Sequence, residues 1–195
     1  MAPDPSAIAP VAAAALALAA GVPYVLATAR GAIRPNRATW IVYAVVGAAG
    51  CAGMIASRAE WTSLALPAVY AVIASTVCIL AIRHGTGGWS RLDRACLGTA
   101  GLSLVLWPMF DQPLIAVVLP ALADLAGTIP TIVKAWRDPG SEHRGAWCLF
   151  MSASLIAVIG IAIDTPDLRN LCYPVCILIG TVAVVAGLLR PGQGQ

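Results

Sequence analysis

The chain has 195 residues, of which 59% are hydrophobic and 11% charged, against roughly half apolar and a quarter charged in soluble proteins. No water-soluble core absorbs that composition, and the net charge of +3 asks for no partner beyond anionic lipid, with no nucleic acid implied. Counted in bilayer spans of about 20 apolar residues each, the sequence predicts an all-α membrane protein of seven transmembrane helices.

The first span is expected over residues 8–28. Its small residues and apolar run are those of a cleaved signal peptide, but it carries Asp4 where a basic leader is needed, and its positive charges follow the run. It is therefore read as a retained helix, with Pro23 near its inner end. A basic loop holding Arg30, Arg34 and Arg37 leads to the second span, 39–57, which opens on Trp40 and carries Tyr43. The third, 62–82, holds Pro67 near its start and then Tyr70. Gly85 to Gly88 read as a linker, since they lack the Lys-Ser/Thr ending of a phosphate-binding loop. Ser90 and Asp93 have capping-box spacing ahead of a short fourth span, 95–109, which carries Trp107. The fifth, 113–133, holds Asp124, Thr128, Pro130 and Thr131, and the sixth, 146–163, opens on Trp147. The seventh, 171–189, carries Pro174 and no lysine, which excludes a retinal Schiff base of the usual kind. Trp40 and Trp147 are expected as interface anchors, a common place for tryptophan. The six cysteines form no C-x-x-C pair and read as small packing residues; no metal site and no cofactor are predicted.

Charge sets the orientation. Under seven spans, the basic residues at 30, 34, 37, 83, 91, 94, 134, 137, 144 and 190 share one side, and only Arg58 and Arg169 lie on the other. Basic residues accumulate in cytoplasmic loops, so the amino terminus is expected outside and the carboxyl terminus in the cytoplasm.

Sliding the chain against itself by 107 residues pairs Pro23 with Pro130, Arg30 with Arg137, Arg37 with Arg144, Trp40 with Trp147 and Pro67 with Pro174, without a gap. Hydrophobicity alone does not supply these identities, so the chain reads as a duplication. Two three-helix units joined directly would be inverted, whereas both basic loops fall on one side; an odd connecting helix must intervene. The expected architecture is two parallel three-helix repeats joined by a linker helix (3+1+3), with 1–83 the first repeat, 84–111 the loop and linker helix, and 112–195 the second repeat.

Parallel three-helix repeats, each with a proline near the inner end of its first helix and a basic loop after it, resemble the SWEET and PQ-loop superfamily. Pro130-Thr131, followed by Lys134 and Arg137, is similar to the Pro-Thr version seen in SWEETs. R-G-x-x-x-P-N-R-x-T-W at 30–40 and D-x-x-G-T-x-P-T-I-x-K-A-x-x-D-P at 124–139 resemble uncharacterised bacterial membrane proteins. The resemblance implies a multi-pass carrier in a bacterial plasma (inner) membrane. The chain departs from the family where the glutamine of the PQ pair becomes Tyr24 and Thr131. Val175 stands where SWEETs place an asparagine, and Ala68 at the matching third-helix position. A sugar site needs hydrogen-bonding groups that these positions do not offer.

Asp124 is the sharpest candidate, about 16 Å into its helix at 1.5 Å per residue and so near the bilayer midplane. No Lys, Arg or His is expected well inside a span to pair with it, and an intramembrane carboxyl is by default functional. It either carries a coupling proton or binds a cationic group, the plain alternative being a structural, hydrogen-bonded acid. Thr128 and Thr131 share its helix face and continue a polar track toward the cytoplasm. Tyr43, Tyr70 and Trp107 are the aromatic candidates for lining the same cavity. Pro23 and Pro130 are placed to act as inner hinges and Pro67 and Pro174 as outer ones, although Pro174 also fits a tolerated first turn.

The expected function is secondary transport of a small organic solute by alternating access, proton-coupled through Asp124. The alternative is an intramembrane enzyme, such as a terpenoid or lipid cyclase, with Asp124 as general acid. No second carboxylate is expected deep in a span, since Glu60, Asp111 and Asp164 fall near the outer surface. A non-catalytic helper or receptor is a third reading. The expected partners are a small-molecule or lipid substrate and membrane lipids, and a homo-oligomer is compatible with the pattern.

Overall fold

The computed structural model describes residues 5–56, 58, 61–106, 109, 113–164 and 168–190. Their regular structure is helical: α1 (Pro5–Ala29), α2 (Arg37–Ala56), α3 (Trp61–His84), α4 (Arg91–Leu106), α5 (Pro113–Arg137), α6 (Arg144–Asp164) and α7 (Leu168–Leu188), with a short 3-10 turn at Pro139–Ser141. All but α4 are long and apolar enough to cross a membrane, which makes the chain a multi-pass membrane protein. The bilayer interior gives backbone polar groups no water, so a spanning segment must close its own hydrogen bonds, as a helix does. Several helices outrun the apolar stretch that announces them, with α5 continuing to Arg137 and α3 to His84. Hydropathy marks the part inside lipid, while long basic side chains carry the helix into the interface.

Side chains sort across each helix. α1 turns Ala13, Ala17, Ala20, Tyr24 and Thr28 inward and leaves Leu18, Val22 and Leu26 exposed, as a lipid-facing stripe requires. Small inner residues let backbones approach closely. On α5, a Cβ added to Gly127 would lie 2.5 Å from Val42 Cγ1 of α2.

Packing follows one pattern twice. α3 packs between α1 and α2, and α7 packs between α5 and α6. Across the two trios, α1 lies on α6 and α2 on α5. Thus the first helix of each trio rests on the second helix of the other.

α4 stands beside this arrangement, against α5 and α2. Its 16 residues span about 24 Å, short of a bilayer core of about 30 Å. It begins with the expected capping box: Ser90 N donates to Asp93 Oδ2 at 3.0 Å and Asp93 N to Ser90 Oγ at 3.1 Å. Asp93 also accepts from Gly88 N (2.8 Å) and Asn36 Nδ2 (3.2 Å), which ties the start of α4 to the loop before α2. Burial works to raise the Asp93 pKa, but the hydrogen bonds from Ser90, Asn36 and Gly88 outweigh it and hold the carboxyl below its usual range.

The basic loops meet at one end. Asn36 bridges Thr86, and Arg34 N donates to Ser141 O at 3.0 Å. Burial is concentrated toward that end. Buried positions begin at Ala13 on α1, Ile73 on α3, Ala121 on α5 and Gly180 on α7, and they stop at Val46 on α2 and Ser154 on α6. Toward the opposite end of these helices no described side chain is buried. Among the described residues, the bundle is packed most densely toward the basic end.

Candidate functional site

Asp124 lies one helical turn inside the first buried position of α5 and is 9% exposed. Tyr173 of α7 lies against its carboxyl. One turn further, Thr128 Oγ1 donates to the Asp124 carbonyl at 2.8 Å. That bond uses the only hydroxyl proton of Thr128, so in the 2.6 Å contact between Tyr43 and Thr128 the Tyr43 hydroxyl of α2 is the donor. Tyr70 of α3 reaches across to α6, where its hydroxyl lies 3.4 Å from both Ser154 Oγ and the Phe150 carbonyl. All three tyrosines are partly exposed and lie within electrostatic reach of Asp124. Tyrosines from three neighbouring helices thus surround the level of Asp124. Among the described residues, the ion pair is Lys134 with Glu142, and no cation pairs with Asp124.

Below this level, toward the basic end, aromatic rings fill the bundle. Tyr24 of α1 lies 5.0 Å from the Trp40 ring, 6.2 Å from Trp147 and 6.3 Å from Phe150, centroid to centroid. Trp40 and Trp147 are 3% and 2% exposed, which corrects the expectation that they anchor the interface. The reason is geometric: each sits in the first turn of a helix that begins beside another trio, so its ring points at a neighbouring helix. Trp147 also has a buried acceptor, because its Nε1 donates to Glu142 Oε2 at 3.0 Å.

Glu142 is the centre of a clamp. Its side chain is fully covered, its Oε2 also accepts from the Tyr24 hydroxyl at 2.5 Å, and its Oε1 faces Lys134 Nζ at 2.5 Å. Lys134 is the only lysine in the chain, and its ammonium also donates to the Arg34 carbonyl. The clamp thus joins α1, α5, the loop before α2 and the start of α6. Beside it, Thr131 Oγ1 of α5 donates to Thr39 Oγ1 of α2 at 2.9 Å. A cleft of about 590 Å³ lies outside the clamp, with Pro23, Arg30, Glu142, His143 and Arg144 among its lining residues.

The structure brings Asp124, Thr128 and Tyr43 together, sets Thr131 against Thr39 nearer the clamp, and sets Tyr70 against Phe150 and Ser154 of α6. Trp107 lies outside the described residues, as do Glu60 and Asp111. Pro23, Pro67, Pro130 and Pro174 all sit inside helices. Since α7 starts at Leu168, Pro174 is not in its first turn; the polar segment before the apolar run is helical too. Sequence reasoning missed Tyr173, Glu142 and the inward turn of Lys134. The available signals were Tyr24 in the position of the glutamine, Tyr173 next to a proline, and an acid, Glu142, within basic loops. No family profile, curated protein or solved structure matches this chain.

Proposed function

We propose that this protein is a secondary transporter of a small organic solute, working by alternating access and coupled to protons through Asp124. The observation that carries the reading is the gradient of burial among the described residues: a carboxyl near mid-helix lies close to where burial begins on α5, with an aromatic plug and a buried ion pair packing the basic end. A carrier caught with one gate shut has this form. The helices pack as two trios of the same internal order, each crossing the other by equivalent helices. This supports the 3+1+3 reading, in which α4 is the linker and crosses the membrane as a seventh, short span. It also supports the resemblance to SWEET and PQ-loop proteins, with repeats over 1–83 and 112–195 and the linker over 84–111. The clustering of Arg30, Arg34, Arg37, Arg83, Arg91, Arg94, Lys134, Arg137 and Arg144 at one end supports a cytoplasmic basic end and an outside amino terminus in a bacterial inner membrane.

In this mechanism the solute enters from the outer end and contacts Asp124, Tyr43 and Tyr70. The plug and the Glu142 clamp then part while the outer halves close. Pro23 and Pro130, one in the first helix of each trio, interrupt the backbone ladder where those helices must bend. Pro67 and Pro174 do the same on the two central helices.

The test uses liposomes containing the pure protein and a panel of amines, amino acids, sugars and isoprenoids. A solute that drives a pH change in wild type and not in Asp124→Asn supports the reading. Conversion of an isoprenoid to a new product in an Asp124-dependent way, without solute movement, establishes the cyclase instead.

A further inference from the structure

The cleft at the basic end has walls of two kinds, and its volume of about 590 Å³ lies in the range of small-molecule sites. One wall is apolar and comes from the end of α1, with Pro23, Leu26 and Ala27 followed by the turn back to Ile33. That turn is a Schellman motif: Gly31, at φ 68°, donates to the Thr28 carbonyl and Ala32 N to the Ala27 carbonyl, each at 2.9 Å. It fixes the chain on both sides of Arg30. The other wall is the start of α6, where His143 Nδ1 accepts from Ala146 N at 3.1 Å, so that the ring proton left for a ligand is on Nε2. Glu142 also lines the cleft but offers no open charge, since its side chain is fully covered, faces Lys134 and accepts from Tyr24 and Trp147. The charge presented to an occupant is that of Arg30 and Arg144. Both are exposed, and among the described residues neither guanidinium has a hydrogen bond or an ion pair.

The other trio shows that these features are particular to this helix end. Under the offset of 107 residues, Ala27 corresponds to Lys134 and Arg144 to Arg37. Lys134 is committed to Glu142 and the Arg34 carbonyl, and Arg37 donates to the carbonyls of Ala81 at 2.9 Å and Gly87 at 3.2 Å. There the cations hold the protein together; here alanine leaves space and the guanidiniums stay free. Two free guanidiniums match the oxygens of a phosphate. A nucleotide is a poor fit, because no aromatic ring lines the cleft to stack a base. The surroundings point to lipid. Leu26 belongs both to the cleft and to the exposed stripe of Leu18, Val22 and Leu26, so the apolar wall continues for about 12 Å along the lipid-facing side of α1. Arg30 follows the last residue of α1 and Arg144 opens α6, which puts both charges at helix ends, the level of lipid headgroups.

We propose that the cleft between the end of α1 and the start of α6 binds the phosphate of an anionic phospholipid, with Arg30 and Arg144 as counter-charges, His143 Nε2 as a further donor and the Leu18, Val22 and Leu26 stripe as the track for an acyl chain. The site stands apart from Asp124 and does not rest on the carrier reading.

The experiment counts lipids retained by the full-length protein. Protein in a neutral detergent is titrated with phosphatidylglycerol or with phosphatidylcholine of the same acyl chains, and bound lipid is read by native mass spectrometry; glycerol phosphate supplies the same phosphate without a chain. The expected result is saturable retention of one phosphatidylglycerol with a preference of roughly 10-fold or more over phosphatidylcholine, and no displacement by glycerol phosphate at equal concentration. Arg30→Gln and Arg144→Gln, with helix content verified, should each weaken retention by roughly 10-fold, as expected for losing one charged hydrogen-bond partner. Arg137→Gln removes an exposed charge at the end of α5, outside the cleft, and should stay within a factor of about 3 of wild type. Ala32→Trp fills the cleft while leaving every charge in place, and should lose roughly 10-fold or more. Equal retention of the two lipids, unchanged retention in both cleft arginine variants, or an equal loss in Arg137→Gln overturns the proposal. Glycerol phosphate binding as tightly as the lipid overturns it too, since the ligand is then a soluble phosphate.

Discussion

Replacing Glu142 by Gln tests whether the buried clamp holds the basic end shut. Glu142 is fully covered, while the Lys134 side chain is 13% exposed. The substitution keeps the size and the acceptor for Tyr24 and Trp147 but removes the charge opposite the ammonium. Breaking a buried pair on one side costs about 3–5 kcal/mol, because the remaining charge is left uncompensated. Lys134 keeps its bond to the Arg34 carbonyl and has a path to water, so the lower end, about 3 kcal/mol, is the expected figure. If that loss falls on the closed arrangement alone, the equilibrium shifts toward opening by about 100-fold. The assay exploits the single lysine: a water-soluble amine reagent, followed by peptide mass analysis at Lys134, should label Glu142→Gln much faster than wild type. Replacing the pair together, Glu142→Gln with Lys134→Met, should restore most of the stability to denaturant in detergent, since no charge is left stranded. An unchanged labelling rate together with a stability change under about 0.5 kcal/mol would refute the clamp, that being the usual effect of surface substitutions.

Other outcomes follow from the same geometry. Gly127→Ala should destabilise the protein by about 1–3 kcal/mol through overpacking, since its Cβ would meet Val42 at 2.5 Å; denaturant unfolding in detergent measures this, and adding Val42→Ala should recover part of the loss. Pro23→Ala and Pro130→Ala, which restore a helix hydrogen bond, should slow solute exchange in liposomes while leaving solute affinity unchanged; equal loss of both refutes a hinge role. The Asp93 carboxyl is held below its ordinary value of 3.8, so its contribution is fully present above about pH 4 and disappears as pH falls through the lowered folded value. Unfolding midpoints across that range should therefore show wild type ahead of Asp93→Asn at pH 6 and converging with it in acid.

The route from sequence to site was uneven for physical reasons. The depth of Asp124 was readable because helix rise is constant, and the face it shares with Thr128 followed from helical periodicity. The cap of α4 was readable because Ser90 and Asp93 act on the same turn. The two tryptophans were misplaced because composition rules describe an average interface residue, whereas Trp40 and Trp147 point at neighbouring helices. Lys134 counts as a loop charge by position, yet the last turn of α5 aims it at Glu142.

By itself, then, the amino-acid sequence determined the membrane class of the chain, the six helices long and apolar enough to cross a membrane, the loops that gather the basic residues and the position of the one acid along α5. Those are local properties: they depend on the apolar content, charge and periodicity of each segment. Only the tertiary structure decided which side chains meet. The hydrogen bond from Tyr24 to Glu142 joins positions 118 residues apart, and that from Thr131 to Thr39 joins positions 92 apart. Such contacts exist because α1 packs on α6 and α5 on α2, and the choice of neighbour is set by small-residue seams on both helices at once, which no single segment encodes.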